Sequence, residues 1–390
     1  MKTVVKYMLG LASVWSLAGC SKFPLPEIVK PAVDQTDKKS TTNISAFDAA
    51  ANIYSRNTAL LGNNAMQGFN FDSDGSIWYT QSGESAVKHQ INLVKSAVNK
   101  NTSILTANTD FMKLSYFGHG TNTAMEEVGS DRYVWIGAYG SANNAGEYWN
   151  EKLIGRVKYV KGKTVKTNEC DEYYYIGKGY TDMHPCIDAE NDLLTINYAD
   201  PTNNAFRCFM VFKLSEARQA TMTNTVVEST DGFETNNPSS LNKKSYTVYC
   251  RDLTKLTPVA KMKFRKTGYG NANATYYDWQ GFDVHKDKLY YVEGQSNYNL
   301  FGSFFTDDVS QSYVTIFDFN GNIVEERTQV AVISDRNALK SIGMTELGAM
   351  ESEGIKVYKG KLYLGYTSRG ITQQDTKHYQ NIFVFDDAKK

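Results

Sequence analysis

A hairpin motif that recurs along the chain, an excess of tyrosine and few segments of helical period predict an all-β fold. The expected architecture is a β-propeller of five blades, six being the alternative count. The 390 residues include 26 Tyr and 19 Phe, side chains that suit pleated strands.

Three segments carry the motif most clearly. Gln67-Gly68-Phe69 leads to Ile77-Trp78-Tyr79-Thr80, Gln280-Gly281-Phe282 to Leu289-Tyr290-Tyr291-Val292, and Glu353-Gly354-Ile355 to Leu362-Tyr363-Leu364-Gly365. The offsets from the first polar residue to the second run are 10, 9 and 9, and a polar turn separates the runs each time. Each unit therefore reads as a β-hairpin. Asp72-Ser73-Asp74-Gly75 has the flavour of a calcium loop but lacks its later ligands, so it too reads as a turn. A looser unit runs from His184 to Ile196, and a shorter one from Glu126 to Gly137.

First strands then begin near 67, 124, 184, 280 and 353, with gaps of 57, 60, 96 and 73. Blades usually need about 40–50 residues, so long loops or an uncounted blade fill the excess. Thr221 to Lys244, rich in Ser, Thr and Asn, reads as an exposed insertion. The last unit stops at its third strand near Asp386, so a segment within Asn43 to Leu61 is expected to supply the fourth and close the ring. Ala46 to Ala51 could instead form a short helix.

Residues 1–19 read as a secretory leader, with Lys2 and Lys6 before a short apolar run. Leu17-Ala18-Gly19-Cys20 resembles the bacterial lipobox, which makes Cys20 the lipidation site. Residues 20–42 hold three of the seven prolines and form a tether, leaving 43–390 as the propeller domain. The expected location is extracytoplasmic and lipid-anchored. Ser21 and Lys22 favour the outer membrane by resemblance to Gram-negative sorting rules, with the periplasmic or surface face open. Without the leader, 40 basic groups meet 42 acidic ones, a balance that excludes general nucleic-acid binding. Cys170, Cys186, Cys208 and Cys250 fit either disulfides or buried thiols.

Gly118-His119-Gly120, Glu126, Val134-Trp135-Ile136-Gly137, Trp149 and Leu153-Ile154-Gly155-Arg156-Val157 together resemble the helveticin J bacteriocin family. That family is similar in turn to teichoic-acid-associated TagC proteins and to a phage receptor-binding propeller. Met66 to Phe69, Trp78 to Gln81 and Gln280 to Asp283 also look like its blade motifs. The resemblance implies a propeller and an envelope-polymer partner, a glycan or a teichoic-acid-like chain. The lipobox departs from a secreted bacteriocin, so killing does not follow.

First strands line the channel of a propeller, so Gln67, His184, Gln280 and Glu353 are expected at one mouth, with His119 on a neighbouring loop. Such groups can bond sugar hydroxyls or a phosphodiester. They can equally bond one another. His119, His184 and Glu353 could also supply acid and base or bind a divalent metal, although no cofactor motif is present. Trp279 and Tyr277, ending the Tyr- and Asn-rich stretch Gly268 to Trp279, are the expected aromatic contacts. The reading favoured is a binding propeller; the alternatives are a phosphodiesterase-type hydrolase of envelope polymers, a helveticin-like bacteriocin and an interaction scaffold.

Overall fold

The computed structural model describes residues 51–57, 64–83, 88–99, 104–105, 110–202, 206–265, 277–296, 310–344, 349–369 and 378–385. The leader, the tether, the short-helix option at 46–50 and the loop 268–276 lie outside them. The chain forms a five-bladed β-propeller. The five innermost strands are Met66–Phe71, Ala124–Val128, Thr181–Asp188, Asp278–His285 and Met350–Tyr358, matching the five expected starts. Each pairs antiparallel with the strand that follows it.

The ring closes as expected. The third strand of blade 5, His378–Phe385, pairs antiparallel with Asn52–Asn57 near the other end of the chain, in the register Asn52 to Val384 and Ile53 to Phe383. The stretch read as an exposed insertion is instead ordered as strand. Met222–Thr230 and Lys243–Asp252 form a hairpin that docks in parallel on Glu172–Tyr175 and widens blade 2 to six strands. Its exposed polar face hides this in the sequence, because backbone pairing at the sheet edge holds it.

Apolar side chains between the blades form five clusters among the described residues. Phe69, Tyr79, Tyr363 and Ile382 sit between blades 5 and 1, and Tyr290, Val292, Ile355 and Leu364 between blades 4 and 5. The repeated second-strand tyrosines thus serve as wedges. Hydrophobic burial, at roughly 25 cal/mol per Å², drives this face-to-face stacking. The four cysteines are free thiols, with Cys170 partly covered and the others buried.

Polar bonds link neighbouring blades at the turn end of the inner hairpins. Asp188 accepts from Lys286 N at 2.9 Å, Asp283 from Val357 N at 2.7 Å, and Glu127 from Ser73 N at 2.5 Å. Asp72, its side chain fully buried, accepts from Trp78 Nε1 at 3.2 Å and pairs with Arg132 at 2.9 Å and Lys95 at 3.1 Å. Gly75 N donates to the Asp72 carbonyl at 2.9 Å, which makes Asp72 to Gly75 a hairpin turn as expected.

Backbone from neighbouring blades comes close together at the inner strands. Gly281 and Gly354 hold φ of 141° and 140°, a region other residues rarely enter. A Cβ on Gly281 would lie 3.3 Å from Gly354 Cα and 3.2 Å from Asn122 Oδ1. Asn122, itself at φ 52°, accepts from Phe282 N at 2.8 Å and donates to Pro185 O at 3.0 Å.

Two stability predictions follow from these contacts. Asn122→Ala leaves a buried amide and carbonyl unpaired and is expected to cost about 2–4 kcal/mol, and Gly281→Ala about 1–3 kcal/mol, in urea unfolding. Burial alone would raise the Asp72 pKa, but hydrogen bonds with Glu127, Arg132, Lys95 and Trp78 outweigh it and lower the value. The folded pKa lies below the unfolded one, near 4, so Asp72 stabilises the fold above that pH. This contribution falls away as the pH drops toward the folded value. The stability gap between wild type and Asp72→Asn should therefore be largest at neutral pH and narrow below about pH 4, as followed by thermal melts.

Candidate functional site

The end of the inner strands opposite those turns is irregular in four blades. Pairing is interrupted between Met66 and Gly68, Thr181 and His184, Trp279 and Gly281, and Ser352 and Gly354. A bulge re-aims the side chain it leaves unpaired. The bulged residues are Gln67, Asp182 with Met183, Gln280 and Glu353, so three of the expected mouth residues occupy equivalent positions. Blade 2 pairs without a bulge, and the loop carrying Gly118-His119-Gly120 precedes it.

His184 requires a correction of register. It pairs with Asn197, four residues before the end of its hairpin pairing, as Gly281 and Gly354 do in theirs. His184 thus stands at the glycine position, with buried Met183 directly before it and Asp182 one residue further. The insertion is one residue, as in the other blades, but blade 3 has no glycine after its polar residue to mark the place.

Around His184 the structure assembles a buried polar cluster that the sequence did not reveal. His184 Nδ1 lies 2.8 Å from the Thr121 carbonyl oxygen, which can only accept, so this nitrogen carries the proton. Nε2 faces Asp182 Oδ1 at 3.2 Å, and Asp182 Oδ2 accepts from Arg207 Nη1 at 3.0 Å. Glu151 comes from the connection before Leu153–Lys158 of blade 2 and is 1% exposed. One donor atom each from Glu151, Asp182 and His184 lie within 4.8 Å of one another. Arg207 also covers the Trp279 ring at 4.3 Å, and the His184 ring is 4.7 Å from it.

Electrostatics separate the two carboxylates. Burial pushes Glu151 up to about 7, with Asp182 adding to the rise and His184 opposing it. Burial acts on Asp182 in the same direction, but His184 and Arg207 override it and hold this carboxyl well below the usual range. Burial works against the His184 charge, yet Asp182 and Glu151 raise its pKa.

The other expected residues separate into neighbouring environments. His119 stacks on Trp149 at 4.3 Å and is pushed by burial down to about 4. It lines a cleft of about 180 Å³ with Asn64, Ser82, Lys88 and Glu147. Gln280 Nε2 donates to Glu351 Oε1 at 3.0 Å, while Gln67 is half-buried. Glu353 is buried, and desolvation with the nearby Glu351 charge raises its pKa well above the usual range. Tyr277, next to the bulged end of Asp278–His285, packs on its own blade: its ring stacks on Tyr313 at 5.1 Å and its hydroxyl donates to Gln311. The missed residues, Glu151, Asp182 and Arg207, belong to no repeated motif. Only the lone Asp two positions before His184 offered a signal.

No protein-family description and no curated protein matches the chain. Among solved structures it is similar to the tail fiber of Staphylococcus aureus phage P68, with TM-score 0.53 and 14% identity over 87% of this chain and 53% of that one. The chain thus spans about half the length of that fiber. It is also similar to the GH43_1 enzyme from Xanthomonas citri complexed with xylose (TM-score 0.37, 11% identity, 86% of this chain and 91% of that one). A third similarity is to the Bombyx mori GH32 beta-fructofuranosidase BmSUC1 (TM-score 0.36, 10% identity, 82% and 59%). The likeness to the phage fiber is one of fold, and no match supports the helveticin J or TagC resemblance specifically.

Proposed function

We propose that this chain is an extracytoplasmic propeller, anchored at Cys20 through the tether 20–42, whose domain 43–390 binds an envelope glycan or polyol-phosphate polymer. The observation that supports the reading is the bulge repeated in four blades, which interrupts pairing beside Gln67, Asp182, Gln280 and Glu353 at the same end of the inner strands. Ring closure does not need these bulges, since blade 2 lacks one. Gln67, Asp182 and Gln280 are partly exposed there and offer amide and carboxylate groups to hydroxyls. The TagC-like side of the motif resemblance supports the same partner class.

Binding is favoured over hydrolysis by the placement of the acids. Glu151 is sealed from the mouth and Glu353 is buried, so neither presents a proton donor to a bound polymer in this arrangement.

Gln280→Ala and His119→Ala are each expected to weaken binding of the cognate polymer about tenfold, near 1.4 kcal/mol, without lowering the melting temperature. A glycan array followed by titration calorimetry checks this, and unchanged affinity in both variants would reject the mouth as the site. Release of sugar or polyol phosphate from the polymer would favour the hydrolase instead. For the anchor, Cys20→Ala is expected to move the chain from the membrane pellet to the soluble fraction, with loss of acyl chains by mass spectrometry.

A further inference from the structure

We propose that Glu151, Asp182 and His184 form a divalent-metal site bridging blades 2 and 3, with zinc the ion that suits it best. One donor atom from each residue already lies within 4.8 Å of the other two. The His184 Nδ1 proton is committed to the Thr121 carbonyl at 2.8 Å, an arrangement that orients an imidazole for ligation through Nε2. That nitrogen lies 3.2 Å from Asp182 Oδ1, a separation that two ligands of one tetrahedral cation also show. Arg207 holds the other Asp182 oxygen at 3.0 Å and fixes the carboxylate's orientation, as an outer-shell partner does.

A second observation is independent of this grouping. Glu151 is 1% exposed, and its Oε2 has no hydrogen-bond partner. An unsatisfied buried carboxylate oxygen is costly, and coordination would satisfy it.

The surroundings are built to admit that side chain. A Cβ on Gly118 would fall 1.4 Å from Glu151 Oε1, and one on Gly137 2.6 Å from Glu151 Cγ. Two glycines on different segments therefore leave the space that the carboxylate occupies. Two carboxylates and one imidazole make a three-ligand set, which in zinc chemistry leaves a position for water or an incoming oxygen. Asp182 is 23% exposed at its side chain, so the cluster communicates with the mouth.

The test uses the full chain in detergent, stripped of metal, with zinc alone and no polymer present. Equilibrium dialysis with elemental analysis should give one zinc per wild-type chain and a raised melting temperature. Glu151→Gln, which keeps the side-chain shape, and His184→Gln should each weaken zinc binding at least tenfold. Cobalt substitution supplies a second readout, a visible absorption band that Glu151→Gln alters. Circular dichroism of the metal-free variants confirms that they fold. Absence of stoichiometric zinc in the wild type, or equal zinc affinity in both folded variants, overturns the site. Polymer binding is not measured in this experiment, so either result leaves the reading of the mouth untouched.

Discussion

One buried amide holds the centre of this molecule. Asn122 stands in the left-handed region at the axis, receiving Phe282 N from blade 4 and giving a hydrogen to Pro185 O of blade 3. A propeller's inner strands present backbone to one another, and that backbone must be satisfied where no strand pairs with it. The asparagine does this with both ends of one side chain. Gly281 of blade 4 and Gly68 of blade 1 approach it closely enough that a Cβ would crowd it, at 3.2 Å from Oδ1 and 3.3 Å from N. This packing stands between the two ends of the ring.

Those ends differ in kind. At the turn end, carboxylates accept backbone amides from the next hairpin, and buried Asp72 engages Trp78, Arg132 and Lys95 together. At the bulged end, Glu151 keeps an unpaired buried oxygen, Arg207 Nε and Trp279 Nε1 lack acceptors, and Asp182 pairs with both His184 and Arg207. Polar groups left unsatisfied in a low-dielectric site are destabilising by themselves.

The architecture was legible because it is repeated. A glycine after a polar residue, followed nine or ten positions later by an aromatic strand, is a local pattern, and the five innermost strands lie where that pattern places them. Even the missing fourth strand of the last unit pointed to residues 43–61, within which Asn52–Asn57 lies. The site was less legible for the same reason. Glu151 lies in a connection and Arg207 on a third strand, and neither repeats in other blades. His184 misled by one step, because blade 3 carries histidine where the clearest units carry glycine, and a one-residue slip in a period-two strand changes the face. The hairpin Met222–Thr230 with Lys243–Asp252 was obscured differently, since its polar, exposed strands carry little apolar signal.

The seam between the first and last described strands has a kinetic consequence. Asn52 pairs with Val384, so this contact spans nearly the whole described chain. During synthesis the early strand emerges long before its partner exists; its other edge pairs with Ile104–Leu105, but this edge must wait for the last blade. Closing so long a loop adds only a logarithmic entropic cost, yet contacts of this separation are the slow ones in folding. The final blade is thus the last to mature, and an incomplete ring exposes two unpaired edges that other chains can join.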